Sequence, residues 1–501
     1  MILAALVWSL LSYMIVVRTG SVIVDGFQSI GSAAAASGPG QLRWPFMGSF
    51  MGYNHCWGFH WFGWPWLRSL LLPLLPWSPG GDIALGCVLW ATASLVTFKL
   101  VAAQGKKEGL FCGLLMLAAP SFLVAAQSYR PEIPAALALV GAFALWSRTS
   151  RASSLFRALL LLLLPTLHPL GLVVPATWCL LGFVAQWRLS GFASALRSCG
   201  WHVLPLAGGV ALFAFWFALQ PDAWAQFELN VRSQRLLTEG MGTGIGTFFR
   251  WGFGSLGSAP LALLLLVACG QATTVVLGTL RGPAREISLE ACAAFGLLTA
   301  IAFNIATRNP NVLHLLMVMP LAAILFKNAL WRIFAHDGTP WRVVVMTGSL
   351  VGFSSLAIKQ GVGLIRHQGV GYRDELASAL RQLPDSRQVL IPVAFWEAAL
   401  KRGKDARTSY RLSTFPNILP RAERAAYENS LATELQSGDL IVWDSLQEEG
   451  GVFNFVGETA LRHQVIRPPD QEALWERLPD LVIPVAYSKG QSTAFRIYRR
   501  R

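Results

Sequence analysis

Apolar runs of near-membrane length alternate with short polar connectors along most of the chain, at 1–17, 82–102, 110–127, 133–147, 153–168, 170–187, 202–219, 255–280, 291–306, 312–328 and 342–360. A helix crosses the hydrocarbon with about 20 apolar residues, and shorter helices are accommodated by thinning of the bilayer or by flanking side chains. The pattern predicts a polytopic α-helical membrane protein with about eleven transmembrane helices over residues 1–360. A further apolar run, 61–78, carries Trp61, Trp64, Trp66 and Trp77 together with Pro65, Pro73 and Pro76. That composition favours an interfacial or broken helix over a crossing.

At about Gly361 the periodicity changes. Helix-spaced apolar positions at 372–383, 395–401 and 422–436 alternate with strand-like runs at 388–393, 439–444, 481–487 and 494–498, so residues 361–501 read as a soluble α/β domain. That segment holds no glycine-rich phosphate loop and no nucleophile elbow, which favours a docking or lid domain over an independent catalytic one.

Basic residues orient the spans, because Lys and Arg in short connectors stay on the cytoplasmic side. With the amino terminus cytoplasmic, alternate connectors hold Lys106 and Lys107; Arg148, Arg151 and Arg157; Arg188 and Arg197; Arg281 and Arg285; Arg332 and Arg342. The opposite short connectors hold one Arg each, Arg130 and Arg308. This assignment requires that 61–78 not cross, and it places the carboxy-terminal domain outside the cell. The first run lacks a basic start and an Ala-x-Ala site, so it reads as an uncleaved helix. Compact loops and short tails fit a bacterial inner membrane.

Composition agrees: 54% apolar and 14% charged residues exclude an ordinary soluble protein. The net charge of +14 is largely that of the inside loops, which argues against a nucleic-acid partner. Seven cysteines form neither a disulfide framework nor a Cys/His metal spacing, and none lies beyond residue 361.

The chemistry gathers on the outer side. The first outer loop, 18–81, is rich in Gly, Trp and Phe and carries Asp25 and His60; its aromatic rings favour short interfacial helices forming a floor or lid. A carboxylate near the outer end of the first helix is a functional candidate because desolvation makes it costly to keep otherwise. Tyr129-Arg130-Pro131-Glu132 fills a tight outer turn, His168-Pro169 a second, and Arg308-Asn309-Pro310-Asn311, followed by His314, a third. Arg232, Arg235 and Arg250 flank a glycine-rich stretch at 240–246 suited to a mobile substrate loop. Planar guanidinium groups at a lipid surface fit phosphate, whereas their alternative roles are local ion pairing and headgroup snorkelling.

Asp25 in the first outer loop, the Tyr-Arg-Pro-Glu turn and a many-spanning body with an exported α/β tail resemble the GT-C superfamily of integral-membrane glycosyltransferases. The likeness is to bacterial members related to protein O-mannosyltransferases and to the aminoarabinose transferases of lipid A. The resemblance implies a polyprenyl-phosphate-linked sugar donor, a glycan, lipid or protein acceptor, and an essential acid that maps onto Asp25. Many relatives carry a second acid immediately afterwards, whereas this chain has Gly26, so the acidic pair for a divalent cation is incomplete. On this reading Asp25 is the general base of an inverting transfer, and Glu132 orients Arg130 or binds the acceptor. Arg130, Arg308 and Arg250 hold the donor phosphate, and His60, Tyr129, His168 and Asn309 contact substrate. A transporter or flippase of lipid-linked sugars and a non-catalytic membrane scaffold are the alternatives.

Overall fold

The computed structural model describes residues 1–19, 30–34, 42, 62–127, 129–146, 148, 150–220, 223–225, 227–228, 259–281, 288–307, 312–334, 339–402, 408–412, 414–415, 434–444, 464–465, 474–484 and 494–501. Each apolar run predicted to cross is a helix or a helix pair. In chain order these are α1 (Ile2–Thr19), α3 (Pro79–Ala102), α4 (Lys106–Leu117) with α5 (Pro120–Gln127), α6 (Glu132–Ala144), α7 (Arg151–Leu167), α8 (Leu170–Ser190) and α9 (Phe192–Leu219). They continue with α10 (Ala259–Arg281), α11 (Leu289–Ala306), a 3-10 turn Val312–Val318 leading into α12 (Met319–Ile333), and α13 (Thr339–Arg366). The run 61–78 holds α2 (Gly63–Leu71), whose 9 residues are too few to cross.

Among the described residues, 7 helical segments are long and apolar enough to span a membrane, or 8 if α4 and α5, bent by 41°, form one span. The count of eleven expected from sequence further needs the shorter α1, α6 and α7 to cross. The α4–α5 break has a local cause: the residue before Pro120 is pushed out of the helical region, so the apolar run splits at Ala119. Helix starts are also written locally. Ser78, Ser150 and Ser288 each accept a hydrogen bond from a first-turn amide, of Gly81, Ser153 and Ala291.

Buried tryptophans tie neighbouring helices together. The Trp90 indole donates to the Met116 carbonyl at 2.9 Å, joining α3 to α4, and the Trp178 indole donates to the Cys292 carbonyl at 2.8 Å, joining α8 to α11. The basic connectors are anchored at the helix ends opposite the Tyr129 turn. There Arg157 donates to the carbonyls of Leu145, Trp146 and Arg148, closing α6. Trp331 donates to Glu108, and Lys327 to Gln104.

The carboxy-terminal segment begins with α14 (Tyr372–Gln382), five residues of turn beyond α13. It continues with β1 (Gln388–Ile391), α15 (Trp396–Arg402), β2 (Ser409–Leu412), β3 (Thr414–Phe415), β4 (Leu440–Asp444), β5 (Gln464–Val465), β6 (Trp475–Val482) and β7 (Ala494–Arg500). The main sheet has the order β2-β1-β4-β7-β6, with β1 parallel to β2 and β4, and β7 antiparallel to β4 and β6. Phe395 and Phe495 meet edge to face at 4.9 Å beneath it. The strand expected at 481–487 instead occupies Trp475–Val482. Its register is set by pairing with β7, it bulges between Leu478 and Leu481 around Pro479, and its half-exposed polar residues hide it from a search for apolar alternation. The helix expected at 422–436 lies outside the described residues up to position 433.

Candidate active site

Three helix junctions meet at the end of the bundle opposite the basic connectors. They join α5 to α6, α7 to α8, and α11 to the 3-10 turn Val312–Val318. Pro131 and Pro169 stand at the N-caps of α6 and α8, where a residue without an amide hydrogen leaves no donor unsatisfied. Glu132 is therefore the first residue of α6, with its carboxylate at the positive end of the helix dipole.

Glu132 is fully buried and is the centre of the cluster. Arg130 Nε donates to Oε2 at 3.0 Å and Oε1 at 3.1 Å, and its Nη2 donates to Oε1 at 2.7 Å. Nε2 of His168 lies 3.6 Å from the same oxygen and Nε2 of His314 lies 3.7 Å from it. The two imidazoles meet edge to face, with centroids 4.9 Å apart. The Leu170 amide donates to Nδ1 of His168 at 3.2 Å, which turns Nε2 toward Glu132.

One carboxylate oxygen and two imidazole nitrogens thus lie within 4.8 Å of one another. Ligands bound to zinc at about 2.0–2.1 Å in a tetrahedral site stand roughly 3.3 Å apart, so Glu132, His168 and His314 would have to draw together to share a cation. Mixed oxygen and imidazole donors suit a divalent first-row metal. Uptake has two requirements: His168 must carry its ring proton on Nδ1, which exchanges the Leu170 hydrogen bond for a metal bond, and Glu132 Oε1, which already accepts from Arg130, must be shared with the cation.

Behind this cluster lies a second buried network. Tyr129 has a left-handed backbone, φ 53°, and its hydroxyl donates to Glu397 Oε1 at 2.8 Å. Arg373 Nε donates to Glu397 Oε2 at 2.8 Å, and the guanidinium lies 5.8 Å from the Tyr129 ring centroid. Burial, with the neighbouring Glu397 carboxylate, pushes the Tyr129 phenol well above its usual range. Burial works against the Arg373 charge, but Glu397, Tyr129 and Asp374 together outweigh it and the guanidinium is held above its ordinary value. On the other flank Arg68 of α2 pairs with Asp82 of α3, both fully buried, and also donates to the Leu75 carbonyl at 2.9 Å. A small cavity between these groups is lined by Trp64, Asp82, Gly86, Tyr129, Arg130 and Ile133.

No protein-family profile matches the chain, and no curated protein matches it in sequence. Solved structures do match it. ArnT from Cupriavidus metallidurans bound to undecaprenyl phosphate superposes with a TM-score of 0.56 over 93% of this chain and 97% of its own, at 13% identity. The apo state of that protein gives 0.50 over 92% and 97%, also at 13% identity. The apo Archaeoglobus fulgidus oligosaccharyltransferase gives 0.45 over 89% and 69%, at 13% identity. The chain has a GT-C fold.

Of the residues predicted from sequence, this GT-C bundle brings together Tyr129, Arg130, Glu132 and His168. Arg130 directs two of its donor groups onto Glu132. Asp25, His60, Arg250, Arg308 and Asn309 lie outside the described residues, as do Arg232, Arg235, Asn311 and the 240–246 stretch. Sequence reasoning did not place His314 with Glu132, because separation along the chain hides the contact. It also missed Arg68–Asp82 and Arg373–Glu397. The available signal for His314 and Asp82 was an ionisable residue inside or at the edge of an apolar run, which marks a functional or paired group.

Proposed function

We propose that this protein is a membrane glycosyltransferase that moves a sugar from a polyprenyl-phosphate-linked donor to a glycan, lipid or protein acceptor at the outer face of the membrane. The reading is carried by one observation: Arg130, Glu132, His168 and His314 gather at one end of a fold shared over nearly its full length with ArnT, which was solved with undecaprenyl phosphate. In the proposed topology the amino terminus is cytoplasmic, and residues 361–501 form an outer domain.

A lipid phosphate leaves as a stabilised anion. The reaction therefore needs a base for the acceptor hydroxyl and positive groups beside the phosphate, with no acid to protonate the leaving oxygen. Asp25 takes the acceptor proton as the acceptor oxygen bonds to the anomeric carbon and the bond from that carbon to the phosphate oxygen breaks. A single displacement of this kind inverts the anomeric centre. Arg308, Arg250 and Arg130 supply fixed positive charge for the phosphate, while His60, Tyr129 and Asn309 contact substrate. Glu132, His168 and His314 would hold a divalent cation, which when bound supplies positive charge to a phosphate oxygen.

The deciding experiment is transfer of radiolabelled sugar from polyprenyl phosphate by the purified protein in lipid nanodiscs, with envelope extract as acceptor. Labelled product supports the reading. Movement of intact donor across a vesicle membrane without its consumption would assign a transporter instead.

A further inference from the structure

The carboxy-terminal segment reaches the site through a buried ion pair, Arg373 with Glu397. Arg373, in the first turn of α14, is buried, and its guanidinium spreads over three separate elements. Nη1 donates to the Val16 carbonyl of α1 at 2.9 Å, and Nη2 donates to the Gln127 carbonyl of α5 at 3.1 Å. Nη2 also donates to Glu397 Oε1 at 3.0 Å, the oxygen that accepts from Tyr129. Val16 and Gln127 lie in the last turns of their helices, where carbonyls lack intrahelical partners and the dipole favours a cation. Arg373 thus completes two helix ends at once. The surrounding backbone is fitted to this contact: Arg18 donates to the Gly369 carbonyl, and a β-carbon at Gly371 would collide with the Arg18 carbonyl.

Those two helix ends have a further property. The end of α1 leads toward Asp25, and the end of α5 leads into Tyr129, Arg130 and Glu132. We propose that Arg373, oriented by Glu397, is a positioning residue of the active site, setting the end of α1 against the Tyr129 turn that carries Arg130 and Glu132. The kinetic part of this inference rests on the glycosyltransferase reading above. Arginine is required because its planar fork offers five N–H donors in fixed directions, whereas lysine offers a point charge on a flexible stem. The carboxy-terminal segment is on this account a permanent brace and not a lid that opens, because lifting it would strip the Val16 and Gln127 carbonyls and the Tyr129 hydroxyl of their buried partners.

The test compares full-length wild type with Arg373→Ala, Arg373→Lys and Glu397→Gln by hydrogen exchange over the whole chain and by transfer kinetics. The expected result is faster exchange confined to peptides covering 14–20 and 125–135, with the basic end of the bundle unchanged. It is accompanied by a fall in kcat of about 10²-fold, as for a displacement near 1 Å, with little change in donor KM. Arg373→Lys should recover part of the loss. Glu397→Gln, nearly isosteric, keeps the test available if Arg373→Ala does not fold. Unchanged exchange at 125–135 in folded variants overturns the inference, as does a chain-wide rise in exchange with kcat per folded molecule unaltered. If the wild type transfers no sugar the glycosyltransferase reading fails, and the exchange pattern still decides whether Arg373 holds the two ends together.

Discussion

Nε2 of His314 lies 3.7 Å from Oε1 of Glu132, although the two residues belong to different helix junctions far apart in the chain. With His168 they form a donor set that a divalent cation would draw together. The purified protein is expected to carry near-stoichiometric metal by mass spectrometry, and chelation is expected to lower sugar transfer reversibly. His314→Ala should weaken metal retention by at least about tenfold, a conservative figure since even outer-shell partners commonly contribute that much. Full metal content in that variant would remove His314 from the set.

Asp25→Asn keeps the size of the side chain and removes the proposed base. Transfer should fall by about 10² to 10⁴, while the thermal midpoint in detergent stays at the wild-type value. Wild-type transfer by this variant would reassign the base.

Arg68 and Asp82 form a buried pair that fastens the short helix α2 to the membrane helix α3. Arg68→Ala leaves the Asp82 carboxylate without its partner and should destabilise the protein by about 3–5 kcal/mol. Replacing both residues together by apolar ones of similar volume should be markedly milder, because no charge is then stranded. Unfolding midpoints of the single variant and the double variant measure the difference.

The raised Tyr129 phenol gives stability a pH signature. In the unfolded chain a tyrosine ionises near pH ~10, whereas the folded protein keeps this proton to higher pH. Its contribution is therefore fully present below that pH and is lost as pH rises toward the folded value, because the folded state binds the extra proton. Tyr129→Phe should flatten this part of the alkaline stability profile, as measured by chemical unfolding on either side of pH ~10. An identical profile in the two proteins would mean that burial beside Glu397 does not hold the phenol in its protonated form.

The helical body was legible in the sequence because bilayer thickness sets a length that every run must approach, and all the apolar runs became helices or helix pairs. Turn chemistry was legible too: Pro131 and Pro169 cap the helices that carry Glu132 and Leu170. The bent α4–α5 pair and the short α1, α6 and α7 were harder to assign, since hydropathy measures apolarity and not whether a helix crosses. Within the site, Arg130 and Glu132 could be paired by proximity along the chain. The convergence of His168 and His314 on Glu132, and of Arg373 on Val16 and Gln127, depends on how distant helices pack, which local pattern does not encode. The edge strand β6 was misplaced for a related reason, as its register comes from its partner β7.

Gly63, at the start of α2, meets the last turn of α7 so closely that a β-carbon there would stand 2.5 Å from the Thr166 carbonyl oxygen. Thr166 belongs to the same turn that delivers His168 to the cluster. The short helix α2 therefore acts as a shim under α7, and its thickness fixes how deep the imidazole sits. That depth is set by a residue with no side chain at all.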